Sequence, residues 1–235
     1  MHPQIAHPYI LVTHGEYSES ISERQLDYLD DPQVIAWFGI HPCEKKHPKY
    51  RPIPLGILQH PLNYKKREKL NDIFAELRTV EKKHCVYMNF ADEQKPERQK
   101  IKQFLGHKPY CKRGARQPFL SYIHEMAECA FTLAPRGMGP DTYRLWEALL
   151  VGSIPIVKSS QIDQLLQGLP VIIVSHWNEI NESFLQQEYK KITSKKYSLK
   201  RLYMDYWLAK IKRTQERFLA KYNKEKSHDT SAHTK

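Results

Sequence analysis

Three short apolar runs separated by stretches of helical period occupy residues 130–192, and this alternation constrains the fold more than any other feature of the chain. The runs are "AFTLAP" (130–135), "IPIVK" (154–158) and "PVIIVS" (170–175). Between and after them, a helix is predicted from Thr142 to about Val151, a short one over 160–168, and another over 178–192. Gly152 ends the first of these helices. Strands alternating with helices of this length form βαβ units, and their right-handed crossovers build a parallel sheet. The expected fold is therefore α/β with a Rossmann-like half.

Upstream, "HCVYMNF" (84–90) reads as a buried strand, 95–108 as a helix stopped at Gly106, and 119–129 as another helix. "YILVT" (9–13) and "VIAWFGI" (34–40) read as strands of an N-terminal part with short helices between them. Pro52 and Pro54 keep "RPIPLGIL" (51–58) extended. Residues 63–83 are charged with weak helical period, a linker or a helix. These shifts divide the chain into an N-terminal α/β domain (1–62), a linker or helix (63–83), a Rossmann-like domain (84–197), a basic helix (198–226) and a frayed tail (227–235). In the basic helix, Leu199, Leu202, Tyr206, Leu208, Ile211 and Phe218 are the expected buried stripe.

Composition narrows the class. The chain is 40% hydrophobic and 27% charged, as a globular protein is, and no run approaches the roughly 20 apolar residues of a membrane span. The N-terminus lacks the basic and apolar regions of a signal peptide, so a cytoplasmic protein is expected, with the option of peripheral attachment to a membrane. Cys43, Cys85, Cys111 and Cys129 have neither CxxC nor zinc-type spacing and read as free thiols. The net charge of +11 is concentrated in runs such as "KKREK" (65–69) and 190–201, and in the C-terminal helix. Such a surface attracts phosphates, anionic lipid or nucleic acid. A solvated helix face is the usual explanation for such runs, and a nucleic-acid surface is less favoured, since no RRM, KH or zinc-finger signature accompanies the charge.

The chemistry concentrates in "LAPRGMGPDTYRLWEALL" (133–150). A strand ends at Pro135, and Gly137 and Gly139 permit positive φ and a close approach of ligand to backbone. Asp141 is the expected N-cap, so the amides of Thr142 and Tyr143 open a helix at the carboxyl edge of a parallel sheet, where ligands bind. Such amides favour a diphosphate, and Arg136 and Arg144 add charge-assisted contacts. Glu147 is suited to the vicinal hydroxyls of a ribose. The same residues also fit a tight turn followed by a helical Arg–Glu pair, and residue pattern alone leaves both readings open.

The stretch resembles the donor-binding segment of exostosin-like glycosyltransferases, the GT47 group. The resemblance rests on Phe131, Leu133, Pro135, Gly137, Gly139, Asp141, Arg144, Trp146, Glu147, Ala148, Leu149, Gly152, Ile154, Pro155, Ile156 and Val157. It continues through 158–180 and, more loosely, into "YILVTHGEY", "IAWFGIHP" and "HPKYRPIPLGI". It implies a GT-B-like fold, in which a Rossmann-like domain binds a nucleotide-diphosphate sugar and an N-terminal α/β domain takes a glycan or glycoconjugate acceptor. Only some 60–80 residues precede the donor side here, against roughly 100–150 for a whole domain, so a minimal version, a fragment or a degenerate member is expected. By the same resemblance Arg136 and Arg144 face the diphosphate and Glu147 the ribose, with Ser153 and Ser159 as further donor contacts. His14 and Glu16 are the candidates for the general base of an inverting transfer. No Asp-x-Asp occurs, so neither metal nor cofactor is expected. The alternative from another class is a non-catalytic basic module that binds a polyanion.

Overall fold

The computed structural model describes residues 5–15, 21–41, 43, 45–57, 69–91 and 95–232. Among the described residues the fold is α/β, with two wholly parallel sheets. Each sheet belongs to its own compact unit: residues 1–53 with 203–235, and residues 54–202. The first boundary thus falls at 53/54 rather than 62, and the second at 202/203 rather than 197. The "KKREK" run, up to residue 68, lies outside the described residues.

In the N-terminal unit, β1 (Tyr9–Thr13), α1 (Glu23–Asp27), β2 (Val34–Gly39) and β3 (Tyr50–Pro52) give the strand order β1-β2-β3. Ser22 opens α1 with a reciprocal cap: its hydroxyl accepts from the Gln25 amide, and the Gln25 side chain accepts from the Ser22 amide. Leu26, Leu29, Val34, Trp37 and Tyr50 form the core. At the carboxyl ends of the strands, Trp37 Nε1 donates to Thr13 Oγ1 at 2.8 Å and Tyr50 Oη to the His41 carbonyl at 2.7 Å.

The second unit runs α2 (Leu70–Leu77), β4 (His84–Met88), α3 (Pro96–Leu105), β5 (Cys111–Arg113), α4 (Phe119–Ala127), β6 (Cys129–Leu133), α5 (Tyr143–Leu150), β7 (Ile154–Lys158), α6 (Asp163–Leu166), β8 (Ile172–Val174) and α7 (Glu182–Thr193). Its strand order is β5-β4-β6-β7-β8. Strand side chains alternate between faces. Val86, Met88, Phe131, Leu133, Ile154 and Ile156 pack with Ile101 and Leu105 of α3 and Leu185 and Ile192 of α7. The intervening Tyr87 meets Tyr122 of α4, and α5 packs on β6 and β7. Helices therefore cover both faces, the doubly wound arrangement that buries a parallel sheet.

The chain ends in α8 (Met204–Ala232), helical beyond the expected fray at 227. Leu208, expected in the buried stripe, is 55% exposed, whereas Trp207 beside it is 7% exposed. Leu199 and Leu202 precede the helix, so they do not set its phase. None of Cys43, Cys85, Cys111 and Cys129 forms a disulfide. No helix among the described residues is long and apolar enough to cross a membrane.

Candidate functional site

The order β5-β4-β6-β7-β8 reverses direction between β4 and β6. In open α/β sheets such a reversal leaves a crevice beyond the carboxyl ends of the two strands, and ligands bind there. Two segments reach it: Asn89 to Ala91 after β4, and the turn 134–142 after β6.

The turn leads straight into α5. Thr142, not Asp141, is the N-cap, with φ −137° and ψ 145°. The shift by one residue has a clear cause. The Asp141 carboxylate is used as an internal peg: Oδ1 accepts from Trp146 Nε1 at 2.6 Å and Oδ2 from the Leu55 amide at 2.8 Å. Burial pushes the Asp141 carboxyl up to about 7, against the opposing effect of these donors. The peg locks the first turn of α5 to the segment after β3.

Thr142 makes no capping bond, and its Oγ1 is buried without a partner, with the residue 8% exposed. Two residues on, Arg144 is half-buried and its Nε also lacks a partner. These are the only two buried side-chain polar atoms without a hydrogen bond among the described residues. An unsatisfied buried donor costs about 1–3 kcal/mol, and both of these atoms lie at one helix start. The Arg144 guanidinium carbon stands 5.6 Å from the centre of the Phe90 ring, across the crevice on the β4 side.

Gly137 and Gly139 do not adopt positive φ, contrary to expectation; the left-handed glycines are Gly56, Gly152 and Gly168. Gly137 gives room instead. A methyl group built on it would meet Arg98 Nη2 at 3.4 Å and Thr142 Cγ2 at 3.8 Å. Arg136 is exposed, and its carbonyl accepts from Arg98 Nε at 2.9 Å. Tyr143 is half-buried as the first residue of α5.

Glu147 lies one turn further along α5 and is 3% exposed. Its Oε2 accepts from Tyr122 Oη at 3.0 Å. Burial holds the Tyr122 hydroxyl well above its ordinary pKa, and the Glu147 charge adds to the effect, so the tyrosine is a fixed donor to this carboxylate.

Beside the turn, a cleft of about 800 Å³ opens beyond β6, β7 and β8. Arg136 and Ser159 line it, together with Glu97, Lys158, His176 and Trp177. Trp177 Nε1 donates to Glu97 Oε1 at 3.0 Å, and Lys158 Nζ lies 3.7 Å from the same oxygen. The Ser159 hydroxyl donates to Asp163 Oδ2 at 2.6 Å. The His176 side chain accepts from the Glu179 amide. Ser153 is not brought here. It is buried at the start of β7, where its hydroxyl pairs with Thr132 Oγ1 at 2.7 Å. His14 is exposed just beyond β1 in the N-terminal unit, and Glu16 lies outside the described residues. No cluster of metal-ligating side chains occurs among the described residues.

Sequence reasoning singled out the contiguous segment 133–150 and did not single out Phe90, Arg98, Glu97 or Trp177 beside it. The segment 95–108 shows only a charged helix, and its sole signal is the i, i+4 spacing of Arg98 and Lys102.

The family model of the RXYLT1 C-terminal domain matches residues 63–225, through the second unit and into α8. The chain belongs to this family. Membership in the RXYLT1 C-terminal-domain family places it among exostosin-like glycosyltransferases, as the turn and its flanking strands imply. No curated protein matches the chain.

Proposed function

We propose that the protein transfers a sugar from a nucleotide-diphosphate donor to a hydroxyl of a glycan or glycoconjugate, with inversion and without metal, on a GT-B-like architecture. The observation that carries this reading is the pair of unpartnered buried atoms, Thr142 Oγ1 and Arg144 Nε, at the start of α5. A diphosphate at this point would accept from both, and from the α5 amides. Arg136 lies in the same turn and lines the cleft, and Glu147, held by Tyr122, takes the ribose hydroxyls.

The chemistry follows from charge. As the acceptor oxygen attacks the anomeric carbon in line, the bond from that carbon to the diphosphate oxygen breaks. Negative charge then grows on the leaving diphosphate. Positive groups fixed in advance stabilise this charge more in the transition state than in the bound donor. The acceptor proton passes to a base, for which His14 and Glu16 are the proposed groups.

The family's tie to xylosyl transfer makes UDP-xylose the first donor to test, within a calorimetric panel of UDP- and GDP-sugars. Binding of one of them, weakened about tenfold or more by Arg144→Ala, is the expected result. No binding across the panel, or an Arg144→Ala protein indistinguishable from wild type, contradicts the proposal.

A further inference from the structure

We propose that the cleft beside the turn after β6 receives the glycosyl group of the donor, and that Glu97 and Trp177 select it; this rests on the donor reading above. The cleft is on one face of the second sheet. Ile101 of α3 lines it, and α3 packs together with α7 against Val86, Phe131 and Ile156. Glu147 is on the other face, on α5, where it meets Tyr122 of α4. The turn joins the two sides. Arg136 and Pro140 line the cleft, and Thr142, two residues after Pro140, opens α5.

A nucleotide-diphosphate sugar carries its ribose and its glycosyl group at opposite ends of the diphosphate. With the diphosphate at the start of α5 and the ribose at Glu147, the nucleoside is on the α5 face. The glycosyl end then has the cleft before it. A volume of about 800 Å³ suits a site that encloses a small molecule.

The wall of the cleft opposite the turn has the chemistry for that end. Three elements meet there at one atom. Trp177, beyond β8, donates from Nε1 to Glu97 Oε1 of α3 at 3.0 Å, and Nζ of Lys158, at the end of β7, stands 3.7 Å from the same oxygen. Oε1 is thus engaged, whereas Oε2 has no hydrogen-bond partner among the described residues. The Glu97 side chain keeps 27% of its surface exposed and lines the cleft.

A carboxylate only accepts hydrogen bonds and repels phosphate oxygens, so the part of a donor that faces Glu97 is one that carries hydroxyl groups. Trp177 is half-buried, with its indole fixed by the bond to Glu97. It adds an apolar surface for the C–H face of a sugar ring. A site that hydrogen-bonds a hydroxyl also rejects analogues that lack it, so this pair sets which sugar is accepted.

The test is calorimetry on the full chain with UDP-xylose, UDP-glucose, UDP-N-acetylglucosamine and GDP-mannose, and with UDP and GDP as parent nucleotides. Glu97→Gln and Trp177→Leu each weaken the nucleotide sugar that wild type binds most tightly about tenfold or more, and leave its parent nucleotide within about twofold. Glu97→Gln keeps an oxygen for Trp177 Nε1 and turns an amide group towards the cleft, so it serves if Trp177→Leu does not fold. If the variants bind the nucleotide sugar as wild type does, while Arg144→Gln weakens sugar and parent nucleotide alike, the cleft assignment is overturned and the donor reading stands. Equal weakening of the parent nucleotide by Glu97→Gln or Trp177→Leu puts the nucleoside in the cleft and overturns the assignment too. If nothing in the panel binds, or Arg144→Gln is without effect, both fall.

Discussion

Asp141 shows how a residue's role depends on what surrounds it. It matches the family pattern and reads as a helix cap, yet it is a buried acceptor tying Trp146 and Leu55 together. Its carboxyl is raised from 3.8 to about 7 by burial. Between these values the folded chain holds a proton that the unfolded chain has released. Stability contributed by this group is thus full below about pH 4 and is lost as pH rises towards and through 7, at up to about 1.4 kcal/mol per unit. Denaturant titrations across this range should show the slope, and Asp141→Asn should remove it. That variant also costs about 1–3 kcal/mol, because an amide nitrogen cannot accept where Oδ1 and Oδ2 both do. Gly137 calls for a different test. An added methyl meets nothing closer than 3.4 Å, so Gly137→Ala should fold with an unchanged melting temperature. Donor affinity measured by calorimetry should nevertheless fall about tenfold, since the methyl fills the space between Arg98 and Thr142.

Among the elements, α5 is the one whose two ends are separately specialised. Its start carries two buried polar atoms without a hydrogen-bond partner, and its finish is closed by Gly152 at φ +73°. An alanine there would be strained and would press on Arg78 Cα at 3.3 Å. Gly152→Ala should cost about 1–2 kcal/mol and lower the melting temperature by roughly 2–8 °C in a thermal scan. Once folded, the variant should bind donor as wild type does, because the strain is at the far end of the helix. The elements around α5 were largely legible in the sequence. The apolar run 154–158 coincides with β7, and the expected helix from Thr142 differs from α5 by one residue at each end. Where the pattern was thin, legibility failed. β5 is three residues long, Cys-Lys-Arg, and carries no apolar run; as an edge strand it needs none. In α8 the apolar positions fit more than one phase, and only packing within the N-terminal unit selects Trp207 over Leu208.

For the whole molecule, the limit on legibility is topological. The turn 134–142 and the first residues of α5 are contiguous, so a local sequence pattern can single them out. Phe90 and Arg98 lie beside that segment, and only the reversal of strand order between β4 and β6 brings them there. No local spacing encodes that reversal. The same holds for the division of the chain, in which the last helix belongs with the first strands. The central claim is that the start of α5 holds the donor diphosphate. A structure of the protein with UDP tests it most directly. The account predicts diphosphate oxygens at hydrogen-bond distance, about 2.7–3.2 Å, from Thr142 Oγ1 and Arg144 Nε. A diphosphate bound elsewhere, with both of these atoms still unpartnered, would contradict it.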